Sequence, residues 1–164
     1  MAVRPEDFKD ALKDYPSGVT VVTSADSQGN PLGATVSAFT SLSLEPPLVL
    51  VCLNRSSRTS AAIASRRAYA IHILDASQAT LARRFALDNS EKFEQAAFTI
   101  NDAGVPCLDD CHLRLECTLQ DEYSGGDHVI LVGLVDAAYR GEDIEPLVFA
   151  RRGFYALGPR LVEA

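Results

Sequence analysis

Residues 33–60 read GATVSAFTSLSLEPPLVLVCLNRSSRTS. Taken with a period of two, Ala34, Val36, Ala38, Thr40, Leu42 and Leu44 fall on one side. Gly33, Thr35, Ser37, Phe39, Ser41 and Ser43 fall on the other. Successive side chains of a strand point to opposite faces, so the spacing predicts a strand with one apolar face and one face of short hydroxyls. No charge interrupts it before Glu45. A strand face turned to water usually carries Lys, Glu, Arg or Gln as well. Two readings are open. The row is a Ser/Thr-rich solvent face, which β-propensity also favours. Or it admits close approach by a flat polar ligand, with hydroxyls and backbone as donors and acceptors.

Pro46-Pro47 stops any helix and forces an extended or turned path. Residues 48–53 are a continuous apolar run, which predicts a strand buried on both faces. Asn54-Arg55-Ser56-Ser57-Arg58-Thr59-Ser60 then precedes Ala61-Ala62-Ile63-Ala64, the pattern of a helix N-terminus. Unpaired N–H groups and the helix dipole make such an end an anion site, and Arg55 and Arg58 add positive charge. Plain N-capping beside two solvated arginines is the other reading. Strand hydroxyls and an anion cradle this close in sequence suggest one ligand with a polar ring system and a phosphate.

Working outward, residues 4–15 form an amphipathic helical pattern, with Phe8, Ala11, Leu12 and Tyr15 on one face. Pro16-Ser17-Gly18 ends it. Residues 19–23 are a β-branched strand, and turn residues 26–30 join it to 31–40 as a hairpin. Residues 69–74 are another apolar strand, in which His72 reads as a satisfied core or edge histidine. Residues 77–86 are helical, with Ala79, Leu81, Ala82 and Phe85 as the apolar stripe and Arg83 and Arg84 near the C-terminus. Residues 87–98 read as a loop with a short helix. Residues 113–120 alternate strictly, Ser124-Gly125-Gly126-Asp127 is a hairpin signal, and 128–138 return as a long apolar strand. A last strand covers 149–157. Strands do not alternate with long helices and no Gly-x-Gly-x-x-Gly occurs, which argues against a doubly wound sheet. The expected class is mainly β, antiparallel, with a few short helices. A closed or split β-barrel is the natural way to avoid exposed edges.

The chain of 164 residues suits one domain, residues 1–164, with a real core. A net charge of −7 argues against a nucleic-acid partner. No run of about 18 apolar residues predicts a membrane span. Residues 1–15 lack the apolar core of a signal peptide, so cytoplasmic residence is expected. Cys107, Cys111, His112 and Cys117 do not follow a zinc-ligand spacing, and Cys52 lies in the apolar run, so no metal is expected. His72, His112 and His128 have no evident triad partners and there is no Gly-x-Ser-x-Gly elbow.

Several stretches recur in one order. They are Tyr15-Pro16-Ser17-Gly18-Val19-Thr20-Val21-Val22-Thr23, then Gly33 through Ser43, Pro46-Pro47, and Cys52-Leu53-Asn54 with Ser57. Arg84-Phe85, Lys92-Phe93, Gly126-Asp127-His128 and Arg151-Arg152 follow. In this order and spacing the chain resembles, over nearly its whole length, the small flavin reductases that serve two-component monooxygenases. The resemblance implies the FMN-binding split barrel, Greek-key-like and antiparallel, as a homodimer with flavin sites at or near the subunit interface. It implies an NAD(P)H:flavin oxidoreductase. Hydride passes from NADH or NADPH to FMN or FAD, and diffusible reduced flavin supplies a partner monooxygenase. Thr35, Val36, Ser37, Thr40 and Ser41 would then line the isoalloxazine and ribityl chain. Asn54, Ser56, Ser57 and Ser60 would hold the phosphate, and Arg84 and Phe85 would close the pocket under a flap formed by 87–98. Asp127 and His128 would sit at the mouth as the catalytic pair, His128 near the nicotinamide. Arg151, Arg152, Phe154 and Tyr155 would meet the dinucleotide from the C-terminal end. Hydride transfer also accounts for the lack of a nucleophile, because the chemistry belongs to the cofactors. The alternatives are a non-catalytic flavin-binding or electron-carrier protein of the same barrel, or an acceptor such as a corrinoid or ferric ligand.

Overall fold

The computed structural model describes residues 2–89, 91–111, 113–141 and 145–162. Helix α1 (Pro5–Leu12) precedes β1 (Ser17–Gly18), β2 (Thr20–Ala25), β3 (Pro31–Val36), β4 (Phe39–Leu44) and β5 (Pro47–Asn54). Then come α2 (Arg58–Arg66), β6 (Ala68–Ile73) and α3 (Ala79–Ala86). The short strands β7 (Phe98–Ile100) and β8 (Pro106–Leu108) lead to the long β9 (Leu113–Gly125) and β10 (His128–Arg140). A hairpin of β11 (Val148–Ala150) and β12 (Gly153–Tyr155) follows.

Seven strands form one antiparallel sheet in the order β3-β2-β6-β9-β10-β5-β4. Strands β3 and β4 are consecutive in sequence yet lie at opposite edges. Only residues 37–38 separate them. Three extended residues reach about 11 Å at most. The two edges must therefore approach each other, and the sheet curls into a barrel that stays split between them. The antiparallel, mainly β architecture agrees with the sequence expectation.

The interior is filled by alternate residues of these strands, among them Val22, Val36, Val51, Ile71, Leu119 and Leu131, with Ile63 of α2 plugged against them. A second cluster lies outside the barrel, where Val19 and Val21 meet Leu74, Leu108 and the Ala82 and Phe85 side chains of α3. Strand β2 is thus buried on both faces along its length. Strand β5 is not, although its apolar run suggested it. Val49, Val51 and Leu53 enter the core while Leu48, Leu50 and Cys52 are half-buried. The helix that covers β2 does not reach β5, which neighbours the edge strand β4.

Three further expectations differ. The alternation over 33–44 is not one strand, because the chain changes sheet edges at Ser37-Ala38. The apolar side of α1 contributes no buried residue, and Phe8, Leu12 and Tyr15 are exposed. Residues 149–157 form a hairpin that turns at Arg151 and Arg152, with φ of 48° and 61°. His112 lies outside the described residues. Among the described residues, no helix is long and apolar enough to cross a membrane.

Strand β6 carries His72, fully buried. Its Nδ1 donates to Val21 O at 3.0 Å and its Nε2 accepts from Leu108 N at 3.0 Å, so the neutral ring ties β2 to β8. Burial lowers its pKa to about 4. The unfolded chain, near 6.5, takes up the proton first, so this contribution to stability is full above pH 6.5 and is lost as pH falls toward about 4. His72→Gln keeps at most one of the two bonds and is expected to cost about 1–3 kcal/mol in urea unfolding at pH 7. The wild-type advantage should shrink between pH 6.5 and 4. Parallel pH profiles for the two proteins would contradict this role.

Candidate functional site

The loop from β5 to α2 is ordered by one side chain. Asn54 Oδ1 accepts from Ser56 N at 2.9 Å and from Ser56 Oγ at 2.7 Å. The backbone completes the turn, with Ser57 N donating to Asn54 O at 2.9 Å. Ser57 is the N-cap of α2, but its hydroxyl makes no capping bond. The first helical bond is Ala61 N to Ser57 O, which leaves the N–H groups of Arg58, Thr59 and Ser60 as the usual orphan donors of a helix start. Anions are favoured there by the helix dipole.

This loop forms one end of a cavity of about 680 Å³. Gly33, Ala34 and Thr35 of β3 line its side, and Phe85, Lys92 and Phe93 close over it. Strand β3 pairs only with β2, so its outer edge is left to this cavity. Phe85 and Phe93 meet edge to face at 5.0 Å, and Phe93 meets Phe98 at 5.2 Å. Lys92 Nζ donates to Gly33 O at 3.1 Å and Phe85 O at 3.2 Å. Burial lowers its pKa below the ordinary lysine value; nearby Asp88 opposes that shift and Arg58 adds to it. The cavity therefore joins orphan N–H donors and the uncapped Ser57 hydroxyl to two cations, Arg58 and Lys92, with Asp26 and Asp88 as the acidic part of its lining. Its size is that of a small-molecule site.

The β9–β10 hairpin places Asp127 and His128 beside this loop. His128 is the cross-strand partner of Asn54, and Arg55 N donates to Asp127 O at 3.0 Å. His128 Nδ1 lies 2.7 Å from Asp127 Oδ1. The imidazole bond holds the Asp127 carboxyl below its usual range. An ionised Asp127 accepts from Nδ1–H.

Of the residues singled out from sequence, the cavity gathers Thr35, Asn54, Ser56, Ser57 and Phe85. Thr35 Oγ1 donates to Ala82 O at 2.6 Å. The Val36 side chain points into the barrel core. Ser37, Thr40 and Ser41 are exposed at and beyond the strand break, away from the cavity lining. Ser60 is buried in the first turn of α2. Arg84 donates to Gln95 O at 2.9 Å, tying down the segment above the cavity.

Arg151 pairs with Asp14 at 2.6 Å, outside the cavity, and Phe154 packs on Phe149. Tyr155 and Arg152 are exposed on the same hairpin. Arg58, read from sequence as charge beside the anion end, lines the cavity, as do Gly33 and Lys92, which had a place in the family motifs but no stated role. The signal for Lys92 was a Lys-Phe pair in a polar segment. A second cavity of about 400 Å³ is lined by Asn101, Arg114, Glu116 and Asp136. There Glu116 already pairs with Arg114 at 3.0 Å and accepts from Asn101 at 2.7 Å. The thiols of Cys107, Cys111 and Cys117 are pushed up by burial, to about 11, 12 and 12, which suits inert side chains.

Comparison with known proteins adds the following. Residues 12–158 match the flavin reductase like domain. The chain is 38% identical over 157 residues to a probable flavin reductase of Rhizobium meliloti, covering 96% of this chain and 50% of that protein. It thus spans half the length of that relative. It is 41% identical over 148 residues to the reductase component of a 4-nitrophenol 4-monooxygenase/4-nitrocatechol 2-monooxygenase from Rhodococcus opacus, covering 90% and 78%. The NADH:FAD oxidoreductase of Streptomyces globisporus, solved with NAD and FAD fragments, superposes with a TM-score of 0.89 at 32% identity and 99% coverage of both chains.

The closing aromatics depend on Gly33. A Cβ there would lie 2.8 Å from Phe85 Cε1 and 3.3 Å from Phe93 Cζ, and Phe85 is fully buried and cannot yield. Gly33→Ala is expected to lose about 1–3 kcal/mol of stability in urea unfolding. A loss below about 0.5 kcal/mol, the level of an ordinary surface change, would show that the lid does not pack on β3 as described.

Proposed function

Because the chain belongs to the flavin reductase like family, we propose that it is an NAD(P)H:flavin oxidoreductase whose flavin occupies the cavity beside β3. The observation that carries this is the meeting, in one cavity, of an unpaired strand edge and an α2 N-terminus flanked by Arg58 and Lys92. A ring system needs the first and a phosphate needs the second. Ser57, Arg58 and the first N–H groups of α2 would hold the phosphate of FMN or FAD, while Ser56, whose donors go to Asn54, would shape the loop beside it. Gly33 and Thr35 would present backbone to the ring edge, and Phe85 and Phe93 would exclude water above it. The flavin and the nicotinamide supply the hydride chemistry. The chain's task is to fix distance and angle between them.

The pairing of His128 with Asn54 and its bond to Asp127 support giving it that task. His128 would meet the nicotinamide of NADH or NADPH at the cavity mouth. Reduced flavin would then leave by diffusion for a monooxygenase component. The same reading puts the enzyme in the cytoplasm, where nicotinamides are plentiful and four free thiols persist.

The exposed apolar side chains of α1, and separately Leu42 and Leu44 of β4, the latter 88% exposed, favour a homodimer that covers such surface. Light scattering at micromolar concentration should give twice the chain mass. A monomer mass would remove any site shared between subunits.

Flavin binding and turnover test the reading together. The protein should oxidise NADH or NADPH only when flavin is present. His128→Ala should lower flavin reduction by about 10–100-fold, since small misplacement of reactants costs that much. It should also raise the nicotinamide requirement and leave the flavin titration unchanged. A flavin-binding protein with no nicotinamide oxidation would instead be an electron carrier. Equal reduction rates in wild type and variant would make His128 a turn residue only.

A further inference from the structure

Arg55 sits between Asn54 and Ser56 in the loop at the end of the cavity, but its guanidinium does not line the cavity. Nη2 donates to Ser124 Oγ at 2.6 Å and to Gly126 O at 3.0 Å. Its backbone N–H donates to Asp127 O at 3.0 Å. One residue of the anion loop therefore grips the β9–β10 turn on both sides of Gly126, which has a φ of 74°. The bonded segment, 124–127, is the one that aims His128. A charged donor holding two oxygens forms stronger bonds than a neutral one would. The turn is a tight one, and within it the Asp127 side chain also bonds His128.

We propose that Arg55 is a positioning residue. It couples the phosphate end of the cavity to the turn carrying Asp127 and His128, so that an occupied cavity stiffens the nicotinamide side. The coupling rests on the flavin-site reading above. The path is short: it is covalent from Ser57 to Arg55 and hydrogen-bonded from Arg55 to the turn. An anion on Ser57 and the α2 N-terminus fixes the loop, and the loop fixes Arg55. Arg55 then holds Ser124 and Gly126. By linkage, the same path makes flavin and nicotinamide binding mutually favourable. Ordering shared between the two sites is paid once and not twice.

Arg55→Ala is expected to raise the half-saturating NADH concentration by about 5-fold or more, the lower range of measured site-to-site couplings. Maximal rate should fall less than that, and FMN affinity should stay within about 2-fold, because the guanidinium does not touch the cavity. Arg55→Lys should recover part of the loss. Ser124→Ala should act in the same direction and add little to Arg55→Ala, as expected of two partners in one bond.

Amide hydrogen exchange supplies a readout apart from turnover. In wild type, FMN should slow exchange at both 54–60 and 124–128. In Arg55→Ala it should slow only 54–60. Protection of 124–128 that persists in Arg55→Ala, or is absent in wild type, would overturn the proposal. So would a parallel loss of FMN affinity, which would move Arg55 into the anion cradle. If wild type fails to bind FMN, the flavin-site reading fails instead. The clamp itself is then judged without ligand, by whether Arg55→Ala speeds exchange at 124–128.

Discussion

Ser37 and Ala38 carry the chain from one edge of the seven-stranded sheet to the other, and this short link is the constraint on which the rest depends. A flat sheet would put β3 and β4 six strand spacings apart, roughly 29 Å at the usual spacing of about 4.8 Å. The link cannot reach that far, so the sheet must curl. Curling encloses the Val, Ile and Leu side chains of its inner face. It also leaves β3 with an outer edge that no strand covers. That edge is where the cavity lies, between the start of α2 and the end of α3. The split is thus a consequence of topology, and the cavity lies along its β3 side.

The cavity lining carries both signs, with Asp26 and Asp88 set against Arg58 and Lys92. The chain as a whole carries −7, yet the cavity brings Arg58 and Lys92 to the α2 N-terminus. Partial burial of Lys92 makes its charge costly when alone, as its lowered pKa indicates. An incoming anion relieves that cost, and this favours phosphate over a neutral ligand of the same shape. Asn54 supplies the geometry. By satisfying Ser56 internally it leaves Ser57 and the helix donors unspent.

Much of this was legible in the sequence because it was local. The β-branched run over 19–23 falls in and beside the doubly buried strand β2, and His72 becomes the satisfied core histidine its apolar flanks implied. The Asn54-to-Ser60 segment did become a helix start beside a cavity. What local pattern could not show was a change of edge. Ser37 and Ser41 continue the hydroxyl alternation through the break, so the row looked like one face. In space it is divided between a cavity wall at Thr35 and an exposed edge strand. Arg55 and Arg58 were equivalent neighbours in sequence. The hairpin register alone sends one to the turn and leaves the other at the cavity. Lys92 was hidden for a similar reason, since its partners, Gly33 O and Phe85 O, come from distant elements.

The central claim is that the α2 end of this cavity is built for the phosphate of a flavin. The most direct measurement compares FMN with riboflavin, which share the ring and differ in the phosphate, by fluorescence titration of the same protein. Charge-assisted bonds contribute about 1.5–3 kcal/mol, so FMN should bind at least about 10-fold more tightly, with an advantage that shrinks as salt is raised. Equal affinity for the two flavins would contradict the account.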